Sequence, residues 1–135
     1  MASVQREIVI HAPVEHVWDA LRDYGKVHTR VVPGFVLECR LEGDVRIVKF
    51  ANGLEAREQL VTMDDAARRV VYTSTGGRLA HHNASVQLFA EGAGTRFLWT
   101  TDLLPAEFAE LVAGMMDAGI TIAKETPEGS AAAKA

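Results

Sequence analysis

A single cysteine, Cys39, leaves the chain without a possible internal disulfide and without a CxxC pair for zinc or redox work. A basic excess is missing too. Fourteen Lys and Arg stand against 18 Asp and Glu, for a net charge of −4, which argues against binding a nucleic-acid backbone. No apolar run approaches the length of a membrane span. Residues 1–7 lack the basic-then-apolar layout of a secretory leader. The five histidines, His11, His16, His28, His81 and His82, are scattered. The adjacent pair His81 and His82, if on a strand, points to opposite faces and cannot chelate one ion. HExxH, GxSxG, phosphate-loop and GxGxxG patterns are all absent. No metal and no cofactor is therefore expected. What remains is a soluble, cytoplasmic chain of 135 residues, 48% apolar and 24% charged, large enough to bury a core unaided.

Periodicity divides the chain. Residues 4–11 alternate like a strand, with Val4, Ile8 and Ile10 on one face. Pro13 suits the start of a helix, and Val14, Val17, Trp18 and Leu21 then recur at helical spacing, predicting a helix over 13–22. A short, broken second helix is expected over 24–32, ended by Pro33-Gly34. From Phe35 the period becomes two. Strands are predicted over 35–42, 45–51, 54–63, 69–75, 80–89 and 95–103, separated by Gly43-Asp44, Asn52-Gly53, Asp64-Asp65-Ala66, Gly76-Gly77 and 91–94. Beyond Pro105, the residues Phe108, Leu111, Val112, Met115, Gly119 and Ile122 mark one long amphipathic helix over 106–124. Residues 126–135 are small and polar and are expected to be disordered, which leaves one domain over 1–125.

Six consecutive antiparallel strands need cover for one face, and the long helix has an apolar stripe of matching need. Three strings carry a family resemblance: Ile10-His11-Ala12-Pro13-Val14-Glu15-His16-Val17-Trp18-Asp19-Ala20-Leu21, then Arg22-Asp23-Tyr24-Gly25, then Gly94-Thr95-Arg96-Phe97-Leu98-Trp99-Thr100. Over about residues 4–124 the chain resembles the START-like SRPBCC superfamily, most closely its polyketide cyclase/dehydrase-like branch. The resemblance implies an α+β helix-grip fold: a curved antiparallel sheet of seven strands around a long C-terminal helix, with two short helices after the first strand. One departure is Val31-Val32, where the family usually has a bulky aromatic before the proline, so the cavity mouth is expected to differ.

Hairpin geometry assigns faces. A two-residue turn at Asn52-Gly53 would set Lys49 opposite Ala56 and Ile47 opposite Glu58. Lys49 and Glu58 would then point inward with Val45, Ile47, Ala51 and Leu60. The alternative has Val48 and Phe50 inward with Lys49 and Glu58 both solvated, or a bulge resetting the register. On the last hairpin, Phe97, Trp99 and Leu103 share a face with His82, Ala84, Val86 and Leu88. His82 reads either as a core histidine satisfied by a backbone carbonyl or as a ligand contact that titrates near neutrality. Tyr72 lies with Val70 on an apolar face, and its hydroxyl needs a partner if buried. Met115 and Met116, at mid-helix, are either core filler or adaptable cavity wall. Cys39 reads as a small buried hydrophobe.

The candidate ligand-binding set is therefore Lys49, Glu58, Tyr72, His82, Trp99 and Met115. The cavity that the resemblance implies would hold an apolar small molecule, lipid-like in character, in a carrier or sensor. An alternative is a cyclase/dehydratase-like enzyme, with Glu58 and His82 as candidate catalytic residues for proton transfer and Lys49 or Tyr72 stabilising an oxygen. A third reading is an interaction protein with a filled core. The expected partner is the apolar ligand, with no nucleic acid and no integral membrane association, and the chain a monomer or homodimer.

Overall fold

The computed structural model describes residues 1–134, with side chains through residue 130. Its elements are β1 (Ala2–Ile10), α1 (Val14–Leu21), a 3-10 turn (Tyr24–Lys26), α2 (Val27–Arg30), β2 (Val36–Glu42), β3 (Val45–Phe50), β4 (Glu55–Asp64), β5 (Arg69–Thr75), β6 (His81–Glu91), β7 (Gly94–Leu104), a second 3-10 turn (Ala106–Phe108) and α3 (Ala109–Lys134). The seven strands form one antiparallel sheet in the order β1-β7-β6-β5-β4-β3-β2. Bulges at Val36/Glu38 and Leu60/Thr62 interrupt the ladders, and such insertions bend and twist a strand. The curved sheet grips α3, whose Met116, Ile120 and Ala123 are buried against it, as the helix-grip expectation requires.

The strings that suggested the fold have local physical reasons. Pro13 sits just before α1 with its carbonyl accepting from Val17 N–H at 3.1 Å, and it needs no N–H of its own there. One face of α1 buries Val17, Trp18 and Leu21. Trp18 Nε1 donates to Asp65 Oδ1 at 2.9 Å, tying α1 to the turn after β4. Gly94 opens β7 because a Cβ there would lie 2.8 Å from the Ile10 carbonyl oxygen. The next residue, Thr95, is fully buried and donates its hydroxyl to the Ala12 carbonyl at 2.8 Å. The glycine-led string thus closes β7 onto the end of β1.

The C-terminal helix is longer than its apolar stripe predicts. Residues 126–135 were expected to be disordered, yet α3 runs through Pro127 to Lys134; residue 135 lies outside the described residues. Polar contacts dock this last part. Glu128 accepts from the His11 backbone N–H at 2.7 Å and from Lys124 Nζ at 2.5 Å. Thr126 Oγ1 donates to the Ile122 carbonyl at 2.8 Å, and Ser130 Oγ pairs with His16 Nε2 at 2.7 Å. Composition reports few apolar residues there but not partners more than a hundred residues away in the chain.

Candidate functional site

Sheet and α3 enclose a cavity of about 300 Å³. Its walls are largely apolar and include Val32, Val70, Val86, Phe97 and Met116. Phe35, Phe50, Leu54, Leu79 and Phe108 also line it. Val31 and Val32 are buried cavity wall, and Phe35 and Phe50 pack edge to face at 5.5 Å beside them. These two rings supply the aromatic bulk that Val31-Val32 does not.

The β3–β4 hairpin decides which charges face inward. Its loop is Ala51-Asn52-Gly53 rather than Asn52-Gly53. Phe50 N–H donates to the Leu54 carbonyl at 2.8 Å, and Gly53, at φ +90°, occupies the left-handed position that a three-residue loop requires. The register moves by one residue: Arg46 faces Glu58, Val48 faces Ala56 and Lys49 faces Glu55. Lys49 is therefore corrected from the expected site to the solvent side, where it is exposed. Val48 and Phe50 take the inner face, as the alternative reading has it for those two residues and for Lys49 but not for Glu58, and they bring Arg46 with them. Glu58 remains inward, but opposite a different partner.

The result is a buried ion pair. Arg46 Nε donates to Glu58 Oε1 at 2.7 Å, with the two side chains only 8% and 10% exposed. The guanidinium carbon lies 4.1 Å from the Tyr24 ring centroid and 4.9 Å from that of Tyr72, so the cation sits between two aromatic faces. Arg46 also reaches the Tyr24 carbonyl at 3.4 Å, and the Tyr24 hydroxyl donates to the Glu58 carbonyl at 2.8 Å. Charge, hydrogen bonds and cation–π contacts together offset the cost of burying both ions. Burial raises the Tyr24 and Tyr72 pKa values, so both phenols stay protonated.

Tyr72, His82, Trp99 and Met115 all line the same cavity as Arg46 and Glu58. Tyr72 and His82 lie side by side, ring centroids 6.1 Å apart. Ser74 N–H donates to His82 Nδ1 at 3.1 Å, so a neutral ring carries its proton on Nε2. Burial lowers the His82 pKa, and the Glu58 carboxylate opposes that shift only in part. Trp99 presses its six-membered ring against Gly119 of α3, 3.3 Å from where a Cβ would stand. Its indole nitrogen is buried and has no hydrogen-bond partner. Burial is the main cause of the raised Tyr72 pKa, and the Trp99 side chain acts against it. Among the described residues, no group of three or more His, Cys, Asp or Glu gathers to hold a metal ion.

The sequence profile of a family described as polyketide cyclase / dehydrase and lipid transport matches residues 1–126. The chain belongs to this polyketide cyclase / dehydrase and lipid transport family. Solved structures share its fold. An uncharacterised protein from Bacillus thuringiensis is 18% identical, with 92% of this chain and 97% of that one covered and a TM-score of 0.81. A START superfamily protein from Mycobacterium smegmatis is 9% identical over 98% and 99% of the two chains, at a TM-score of 0.75. A norcoclaurine synthase point mutant from Thalictrum flavum, in complex with a transition-state analogue, is 16% identical over 93% of each chain, at a TM-score of 0.72. No curated protein matches the chain.

Two residues of this family member's polar cluster escaped the sequence reading: Arg46 and Tyr24. Arg46 shares parity with Val48 and Phe50, so the alternation of those two apolar residues was the available signal. A third residue in the turn was enough to reverse it. Tyr24 lies in the broken helix, where neither period applies.

Proposed function

We propose that this family member binds a small, predominantly apolar molecule in the cavity between sheet and α3, as a carrier or sensor. The observation that carries the reading is the cavity itself. Its volume of about 300 Å³ stands at the lower end of ligand pockets, and its apolar wall holds a few convergent polar groups. A filled-core interaction protein would have no such space. The enzymatic reading has less support. Glu58 is engaged by Arg46 and is no free base, and Lys49 lies outside. Among the described residues, no helix is long and apolar enough to cross a membrane.

N-phenyl-1-naphthylamine, a neutral dye that brightens in apolar surroundings, tests the reading. Wild-type protein should enhance its fluorescence saturably. Ala56→Phe, which places a ring on the cavity-facing side of β4, should abolish the enhancement while the protein still melts cooperatively. No enhancement with wild type, or an unchanged one with Ala56→Phe, would overturn the proposal. Native mass spectrometry of protein taken from its expression host would identify any molecule that co-purifies.

A further inference from the structure

We infer that Arg78, at the mouth of the cavity, receives the carboxylate of an apolar monocarboxylic acid whose hydrocarbon part fills the space below. The inference rests on the apolar-cavity reading and narrows it to a chemical class. Its starting point is where the cavity opens. Of the residues that line it, Leu54, Glu55, Gly77, Arg78 and Leu111 are exposed. All five belong to one end of the sheet. That end carries the β3–β4 loop, the β5–β6 loop over 76–80 and the passage from β7 into α3, because each strand of the meander reverses the one before. The mouth is therefore there, and the Arg46–Glu58 pair is buried deeper in the wall.

Arg78 is the unpaired cation of this wall. The other arginine that lines the cavity, Arg46, has its counter-ion Glu58 at 2.7 Å. Among the described residues, Arg78 has neither an ion pair nor a side-chain hydrogen bond. Its guanidinium carbon lies over the Phe108 ring, 4.7 Å from the centroid, and Phe108 is itself cavity wall. Contact with the ring holds the cation at the mouth and leaves the N–H groups along its edge free. Those donors form the planar fork that matches both oxygens of a carboxylate.

The acids nearby leave that fork open and limit the charge it can take. Glu55 stands opposite Lys49 in the hairpin register and so shares its solvent side of the sheet. Glu107 precedes Phe108 in the chain and forms no ion pair with Arg78. One guanidinium balances one negative charge. A second, as on a phosphate monoester, would stand in the field of Glu55 and Glu107 without a partner. A carboxylate at this exposed rim also keeps part of its water and escapes the desolvation that burial would cost. The apolar remainder of the molecule gains by leaving water for the wall below.

Four probes of one chain length make the test: decanoate, decanamide, decylammonium and decyl phosphate at pH 8, each read by displacement of the naphthylamine dye. Arg78→Gln should lower the affinity of decanoate relative to decanamide about fivefold, the upper range for an exposed charge pair. Arg78→Glu should reverse the preference and place decylammonium above decanoate. Arg78 is an exposed loop residue, so neither substitution disturbs the core. Arg69→Gln removes an equal charge at the opposite end of the sheet, outside the cavity wall, and should leave the ratio in place. An unchanged ratio in Arg78→Gln, or an equal fall in Arg69→Gln, would overturn this inference and leave the cavity reading intact. So would tighter binding of decyl phosphate than of decanoate to wild type, or dye binding that none of the four chains displaces. Failure of the dye itself to bind would overturn the cavity reading and the inference with it.

Discussion

Glu58→Gln isolates the buried charge pair. The substitution preserves volume and leaves an oxygen to accept from Arg46 Nε, but it removes the negative charge. The guanidinium is then stranded in a site where its side chain is 8% exposed. Removing one partner of a buried pair costs about 3–5 kcal/mol, because the remaining charge keeps its desolvation penalty. The Tyr24 and Tyr72 faces and the Tyr24 carbonyl stay with Arg46, so the loss should fall toward the lower end, about 3 kcal/mol. The double variant Arg46→Met/Glu58→Leu removes both charges and fills the same space. It should recover most of that loss, since apolar replacement of a buried pair is often neutral or better. Urea unfolding of wild type, Arg46→Met, Glu58→Leu and the double variant, followed by tryptophan fluorescence at constant slope, completes the cycle, with Glu58→Gln measured beside it. A Glu58→Gln loss below about 1 kcal/mol would refute the reasoning, because that is the scale of a solvated surface pair. It would mean that the cavity delivers water to the guanidinium.

Three further outcomes are expected. Because burial depresses the His82 pKa, the unfolded chain binds a proton there more readily than the folded one, so stability should fall as pH drops below about 6.5 and level off below the folded-state value; urea midpoints between pH 8 and 5 should show a dependence that His82→Gln weakens, and identical curves would remove His82 as its source. Trp18→Phe should cost about 1–2 kcal/mol in urea melts by deleting the 2.9 Å bond to Asp65, and a neutral result would show that bond to be exchangeable with water. Gly119→Val should destabilise by about 1–3 kcal/mol through crowding of Phe35 and Trp99 and should weaken dye binding, and unchanged dye affinity would place the Trp99 ring away from the ligand.

Local patterns were enough for the architecture. Period-two and period-3.6 stretches, broken by glycine, proline and aspartate, reported strand, short helices, six strands and long helix in the observed order, since each element must present an apolar face to one core. The inward placement of Tyr72, His82, Trp99 and Met115 was legible for the same reason, because their apolar strand or helix neighbours share their parity. Lys49 and Arg46 were not legible. They differ by an odd number of positions on one strand, so a single extra residue in the turn exchanged them, and a turn's length is settled by how the flanking strands pair. The end of α3 also lay beyond local pattern. Residues 126–130 have little apolar character, and what holds them is His11 and His16, brought close only when β1 and α1 are in place. Tyr24 became part of the site in the same way, when the chain folded its ring over a guanidinium 22 residues away. Sequence alone determined which segments bury a face, because that depends on neighbours along the chain. Tertiary structure decided which charges are buried and which donor is left unpaired, because both depend on partners that only the assembled sheet and helix bring together.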